Sequence, residues 1–360
     1  MSAFEEASEA ERKRQWLPPS PLQIAWLVVL LVFAGIALWL ALSPPPPLPE
    51  KPQLASAVSP AKPTLPARSA AAAVDAPQAP SAPPPAPAPV VATPLSPAPA
   101  EGLVEKSPFG PLPKIDGARE PWQVYAHPFE QTAARPRIAL LISGLGMSKR
   151  ATDAAISTLP PQISLAFSPY GHNLQARVDA ARKAGHEVLL LVPMEPENYP
   201  KNDPGPQTLL TTLPMADNLD RLHWVMSRFA GYVGLVNDMG SRYTASEEAM
   251  TPVLEDLKAR GLLFMDARSS QYSVAAKLAR DLRVPRVLNN RFLDSEHTEE
   301  NIRKQLKDLE SVAKTYGAAA GIGSPYPLTI RLVAEWAATL SERGFDLAPI
   351  TAVASRQPVR

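Results

Sequence analysis

The side chains able to do chemistry are gathered in short clusters, each just after an apolar run. In order they are Ser143-Gly144-Leu145-Gly146, Ser168-Pro169-Tyr170-Gly171, Pro193-Met194-Glu195-Pro196 and Asn237-Asp238-Met239-Gly240-Ser241-Arg242. Asp266-Ala267-Arg268-Ser269-Ser270, Asp294 and Gly323-Ser324-Pro325-Tyr326-Pro327 come next. Carboxylates and guanidinium groups beside an aromatic face suit sugar hydroxyls, because a few placed polar groups fix a ligand that lies on apolar surface. The candidate binding residues are therefore Tyr170, Glu195, Asp238, Arg242, Asp266 and Arg268. Glu195, Asp238 and Asp266 could form an all-oxygen cation site, or a carboxylate pair for glycoside hydrolysis. The expectation is the plainer one, that they pair with Arg242 and Arg268 and cap loops.

Other chemistries fit less well. The chain has five histidines and no cysteine, which excludes disulfides, thiolate metal sites and cysteine nucleophiles. His172 is the one histidine expected near a strand's carboxyl end. His186 precedes its strand and belongs on the opposite rim, His223 is mid-helix, His297 is in a late loop, and His127 sits in an aromatic stretch where packing is its expected role. A histidine-based metal site is therefore not expected. Ser143 has no plausible base and reads as a turn hydroxyl. A net charge of +1 gives no reason to expect a nucleic-acid partner.

The elements that must position these loops are set by the stretch Arg137 to Gly146. Ile138 to Ile142 is almost wholly apolar, too short for a free-standing helix, and stops at glycine. It reads as a strand buried on both faces, hence part of a parallel sheet with helices around it. The pattern then alternates. Strands are expected at Ile138–Ile142, Ile163–Phe167, Val188–Val192, Val233–Val236, Leu262–Met265, Arg286–Leu288, Ala318–Ile322 and Leu347–Ile350. Helices are expected at Lys149–Thr158, Asn173–Ala184, Asp217–Phe229, Ser246–Arg260, Val274–Asp281, Glu299–Tyr316 and Tyr326–Arg343, with Gly185, Gly261, Gly317 and Gly344 as stops. The fold class is α/β, a deformed (β/α)7-8 barrel, with a doubly wound open sheet as the alternative. Ser143-Gly-Leu-Gly lacks the third glycine of a dinucleotide fingerprint.

The region before this domain has a different composition. Residues 1–22 are polar with a basic cluster, Arg12-Lys13-Arg14. Residues 23–42 carry no charge, are long enough to span a bilayer core of roughly 30 Å, and are expected to form a transmembrane helix with the amino terminus cytoplasmic. A cleaved signal peptide ending near Ala41-Leu42-Ser43 is the alternative. Residues 43–135 take a large share of the 43 prolines and read as a disordered Pro/Ala-rich linker, whose extended reach is on the order of 250 Å. Trp122 to Phe129 is more aromatic and suited to docking on the domain, which is assigned to residues 136–355.

The domain resembles the divergent polysaccharide deacetylase family, an envelope branch of the carbohydrate esterases with a NodB-like deformed barrel. The resemblance rests on Gly144-Leu145-Gly146, Ala166-Phe167-Ser168-Pro169-Tyr170, Gly185-His186-Glu187-Val188-Leu189-Leu190 and Pro193-Met194-Glu195-Pro196. Asp203-Pro204-Gly205-Pro206, Asn237-x-Met239-Gly240-Ser241-Arg242, Phe264-Met265-Asp266 and Gly323-x-Pro325 complete it, in family order. It implies a glycan context, and in distant relatives a divalent metal held by an aspartate and two histidines. Members of the wider family show Asp-Asp-Leu-Gly where this chain has Ser143-Gly144-Leu145-Gly146, and histidines where it has Asp238 and Ser324. The base and most of the metal shell are thus replaced, and no catalytic role passes to Ser143, Gly144 or Ser324.

The expectation is a single-pass inner-membrane protein with a periplasmic domain that binds cell-wall glycan through a degenerate site. No cofactor is expected, and a divalent metal only if the site is active. Expected partners are an envelope polysaccharide or peptidoglycan-derived glycan, the inner membrane through residues 23–42, and other envelope proteins. The alternative is an active deacetylase or glycosidase using a rearranged carboxylate site. A protein-interaction module on a long tether is a third reading.

Overall fold

A strand that is apolar on both faces must be covered on both, and this chain achieves it by curling one sheet. The computed structural model describes Trp26, Leu31 and Ala34, residues 93–130 and residues 135–359. The chain divides into two units, Met1–Ser81 and Ala82–Arg360. The three described residues of the first unit are helical. The expected membrane span at 23–42 otherwise lies outside the described residues, among which no helix is long and apolar enough to cross a membrane. The second unit holds the curled sheet.

The organising strand is β3 (Arg137–Leu145). A short hairpin, β1 (Val104–Ser107) and β2 (Gly110–Pro113), and one helical turn, α1 (Pro121–Val124), precede it. β10 (Ala318–Gly323) runs parallel along one edge of β3. The other edge is shared by β11 (Asp346–Ala348), at Arg137 to Ala139, and β4 (Ser164–Phe167), from Leu141 onward. The sheet continues in parallel through β5 (Val188–Met194), β6 (Gly234–Met239), β7 (Leu263–Asp266) and β8 (Arg286–Leu288). On the far side β10 pairs with β9 (Arg291–Phe292). β8 and β9 are two ends of one chain segment, separated by Asn289 and Asn290, so the sheet curls until its ends meet.

That seam is closed by side-chain amides. Asn290 donates its main-chain N–H to the Ala320 carbonyl at 2.8 Å, and its Oδ1 accepts from the Ala320 N–H at 2.9 Å. Gln357 Oε1 accepts from the Leu288 N–H, and its Nε2 donates to the Leu288 carbonyl and to Asn290 Oδ1, each at 2.7 Å. Strands too short to pair fully thus keep their polar groups satisfied.

Among the described residues seven helices pack outside: α2 (Lys149–Thr158), α3 (Leu174–Lys183), α4 (Met215–Met226), α5 (Glu247–Ala259), α6 (Ala275–Asp281), α7 (Glu299–Tyr316) and α8 (Pro327–Ala338). Ile138, Leu140 and Ile142 face them, whereas Ala139 and Leu141 face inward with Ala166, Leu189, Leu191, Val236, Met265 and Ala320. Ile350 and Val353 belong to this inner cluster and plug it. The alternation is that of a strand whose successive side chains point to opposite faces. Hydroxyl caps start three helices: Ser148 accepts from the Ala151 amide, Ser246 from Ala249 and Thr298 from Asn301. Gly317, at φ 80°, ends α7.

The expected elements recur with shifted ends. The strand expected at Val233–Val236 continues to Met239, because β5 offers a partner as far as Met194. The helix expected over Tyr326–Arg343 ends at Ala338, and Ser341–Arg343 forms a separate 3-10 turn.

The linker expected over 43–135 is corrected at its carboxyl end, since the chain from residue 93 to 130 is built onto the barrel. Leu103, Leu112 and Tyr125 are buried. Arg182, itself buried, donates to the carbonyls of Ser96, Tyr125 and Gly231. Prolines remove donors without preventing an extended edge segment from docking, and the apolar residues between them supply the anchor. Trp122 and Phe129 pack against the inner cluster, and His127 donates from Nδ1 to the Gly185 carbonyl at 2.7 Å.

At the same rim Glu187 is fully buried. Its carboxylate accepts from Ser164 Oγ at 3.1 Å, the Thr351 N–H at 3.2 Å and the His127 N–H at 3.3 Å, and from the Thr351 hydroxyl. Burial nonetheless holds its carboxyl above the usual range. One side chain thus ties the leading segment, β4, β5 and the last turn together.

If the leading segment is structural, Leu103→Ala, at a fully buried site, should cost about 2–5 kcal/mol. Chemical denaturation of the variant checks this. An unshifted midpoint would mean that residues 93–130 do not dock.

Candidate functional site

The loops beyond the strands' carboxyl ends open on one rim, where (β/α) folds hold their chemistry. Glu195 follows β5 directly. Its side chain is 3% exposed. Oε2 accepts from the Thr211 N–H at 2.6 Å and the Thr211 hydroxyl at 2.7 Å, and Oε1 accepts from Arg242 Nη1 at 3.1 Å. Burial pushes this carboxyl up, but Thr211 and Arg242 together outweigh it and hold Glu195 below the usual carboxylate range. Its main-chain carbonyl also accepts from the amides of Arg242 and Tyr243, both at 3.1 Å. Glu195 is therefore a fixed anion clasping two loops.

Asp238 lies near the end of β6, beside Pro193 in register. The main-chain amide of Met239 favours the charged form of Asp238. Burial pushes the Asp238 carboxyl above its ordinary value. The loop that carries it is fixed by Asn237, whose Nδ2 donates to the Met239 carbonyl at 2.7 Å and whose Oδ1 accepts from the Ala267 amide at 2.8 Å. Met239 sits at φ 54°, in the left-handed region that costs a side chain energy. Gly240, at φ 84°, lies where a Cβ would stand 2.8 Å from that of Met194.

Asp266 is buried. Its Oδ1 accepts from the Arg268 amide and its Oδ2 from the Ser273 hydroxyl, each at 2.8 Å. The expected pairing is corrected in its atoms: Arg268, at φ 53°, presents its main-chain N–H to the carboxylate while its side chain is exposed. An aspartate accepting from the amide two residues on makes a self-contained turn. Desolvation raises the Asp266 carboxyl.

Tyr170 is half-buried and used internally. A Cβ at Gly205 would fall 2.5 Å from its ring, Trp224 lies against it at 6.1 Å, and its hydroxyl accepts from the Gln207 amide at 3.0 Å. The Asp203-Pro-Gly-Pro loop is thus seated on Tyr170. The hydroxyl's pKa is raised, first by burial and then by the fields of Asp203 and Asp238.

Tyr170, Glu195, Asp238 and Arg242 are accordingly brought together above β4 to β6, and Asp266 and Arg268 stand on the next strand. The histidines do not join them. His172 is exposed, His186 is buried between the carbonyls of Ile163 and Ile156, His223 meets Asp256 at 3.2 Å, and His297 lies against Tyr326 at 4.4 Å.

A divalent ion of the kind the resemblance implies does not fit the donors present. Gly144 offers no side chain, and a Cβ there would meet only the Pro325 ring at 3.8 Å. Ser324 gives its amide to Asp294 Oδ2 at 2.7 Å and its hydroxyl to Oδ1 at 3.3 Å. Among the described residues, no three His, Asp or Glu side chains approach closely enough to share a cation.

Thr211, Asn237, Trp224 and Gly205 shape the site without signalling it in the sequence. Thr211 is 16 residues from Glu195, with no periodicity linking the two. Asn237 carries a faint signal, because an amide side chain ahead of a Met-Gly turn is able to satisfy it.

The family model for divergent polysaccharide deacetylase matches residues 140–354. An uncharacterized protein of Haemophilus influenzae is 30% identical over 200 residues, covering 56% of this chain and 70% of its own. The uncharacterized protein YibQ of Escherichia coli K12 is 26% identical over 198 residues, 55% of this chain and 61% of its own. The crystal structure of an uncharacterized protein from Agrobacterium tumefaciens C58 is similar with a TM-score of 0.66 at 37% identity, covering 68% of this chain and 99% of that one.

Two outcomes test the electrostatics. Glu195's folded pKa lies below its unfolded value near 4.5, so its contribution is present at neutral pH and lost as pH falls through the folded value. Thr211→Val should therefore cost about 1–3 kcal/mol at neutral pH, and the deficit should shrink in acid. For Asp238 the sign reverses. Asp238→Asn should stabilise the fold at neutral pH, with the advantage shrinking as pH falls through the raised folded value and gone below 3.8. Denaturation midpoints measured against pH check both.

Proposed function

Because the chain belongs to the divergent polysaccharide deacetylase family, we propose that its barrel binds an envelope glycan at the rim above β4 to β6 without hydrolysing it. The observation that carries the reading is how the acids are used. Glu195 and Asp266 are committed to loop hydrogen bonds, whereas Asp238 keeps most of its carboxylate for a ligand. Arg242, half-exposed and paired with Glu195, and the exposed Arg268 supply donors for sugar oxygens. Bound sugar then lies against apolar rim residues such as Met239. The glycan is a cell-wall polysaccharide or a peptidoglycan-derived fragment. Residues 23–42 anchor the protein in the inner membrane with the barrel on the periplasmic side, and the support for that placement is the uncharged run behind Arg12-Lys13-Arg14.

A second reading has one observation in its favour. Glu195 is held low and Asp238 is pushed up, and two carboxyls driven apart in this way are the pattern of a base and an acid. They stand on neighbouring strands, as a glycosidase pair would. Against it, both oxygens of Glu195 are taken and its side chain is sealed.

Titrating the full chain with acetylated chitooligosaccharides and peptidoglycan fragments tests both. Saturable binding is expected, weakened about tenfold by Asp238→Ala or Arg242→Ala, a loss of ~1.4 kcal/mol, with neither acetate nor new reducing ends released. Turnover abolished by Asp238→Ala would install the second reading in its place. No saturable binding to any of these glycans would end the first.

A further inference from the structure

A second concavity lies at the opposite end of the barrel, where β8 enters the sheet. It has a volume of about 290 Å³, and its walls include Trp122, Arg280, Arg283, Arg286 and Ser355. None of these residues belongs to the rim described above, and the notch stands independently of the glycan reading.

Three features set it apart. The first is Arg286, which is 8% exposed. Its Nε is buried with no acceptor, and its Nη2 reaches only the Gln357 carbonyl, at 3.4 Å. A buried guanidinium N–H that goes unmet is costly unless something else meets it. The second is charge. Arg280 is paired with Asp281 at 2.9 Å, but the Arg283 guanidinium has no hydrogen bond or ion pair among the described residues. The other nearby acid, Glu120, accepts from the Trp122 indole N–H. The notch therefore holds more cation than its own acids balance. The third is backbone strain. Among the described residues, Arg283 (φ 62°) and Ser355 (φ 57°) are two of five non-glycine residues in the left-handed region, and both line this one notch. Such positions favour glycine or asparagine, and strain kept at a wall lined by unpaired donors points to use. The Ser355 N–H donates to the Arg286 carbonyl at 2.7 Å, which ties the strained turn at Ser355 to β8.

We propose that the Arg280–Arg283–Arg286 notch with Ser355 is a binding site for a phosphate-class oxyanion. Forked guanidinium donors match the geometry of a tetrahedral oxyanion better than any neutral ligand. The volume admits a phosphate or a phosphodiester headgroup. Free phosphate and the headgroup of an anionic lipid share this chemistry.

The test uses the full chain and two probes, inorganic phosphate and the soluble headgroup diester glycerophosphoglycerol, each against sodium chloride at matched ionic strength. Expected is a saturable rise in Tm with at least one probe, with a matching Kd by calorimetry. Binding of phosphate alone assigns a free anion, and binding of the diester assigns a lipid headgroup. Arg283 is exposed, so its variants should fold. Arg283→Ala should weaken binding at least about tenfold. Arg283→Gly should do the same while leaving the ligand-free Tm equal or higher, because glycine relieves the left-handed strain. Lys258→Ala, exposed on α5 and outside the notch, should change neither. No stabilisation beyond chloride, or equal binding by wild type and both Arg283 variants, would overturn the site.

Discussion

Ile138, Leu140 and Ile142 point to one side of β3 while Ala139 and Leu141 point to the other, and every one of them is buried. A single flat sheet with helices on one face would leave half of these residues wet. Curling resolves this, because the inner faces of all strands then cover one another and the helices cover the outside. The small residues Ala139, Ala166, Ala318 and Ala320 leave the inner space narrow, and Ile350 and Val353 fill what remains. The rim loops inherit their positions from this closure, as do the seam at Asn290 and the notch at Arg286.

The two ends of the barrel handle burial of charge differently. At the amino-terminal end Glu187 is completely enclosed and answered by donors from the leading segment, β4 and the last turn. Desolvation still dominates its proton affinity, so its role is to hold segments together rather than to react. At the carboxyl-terminal end Glu195 is enclosed and over-answered, and settles as a permanent anion. Asp238 is under-answered. Polar groups left short of partners inside a fold cost free energy, and such costs persist at positions that serve a ligand. Arg286, whose Nε is buried without an acceptor, is one position of this kind.

The rim loops are ordered by their own polar contacts. Gly144 brings no side chain to the rim, and Asp294 takes up the hydroxyl and amide of Ser324. Asn237 meanwhile stitches the Asp238 loop to the next strand through Ala267. The loops are held by hydrogen bonds among themselves.

Much of this was legible in the residue order. The double-faced apolar run at Ile138 to Ile142 required a parallel sheet with helices, the alternation of period-2 and period-3.6 segments located nearly every strand and helix, and the strand-end loops collected the rim residues. These are local properties, set by side-chain spacing and by glycine and proline. Only the folded chain decided the rest. That Asp266 takes an amide rather than a guanidinium, that Thr211 answers Glu195, that Gln357 completes β8, and that a proline-rich stretch docks from residue 93 all depend on which distant groups meet. A hydrogen bond is satisfied or left open by its partner across space, and the order of residues along a chain does not carry that information.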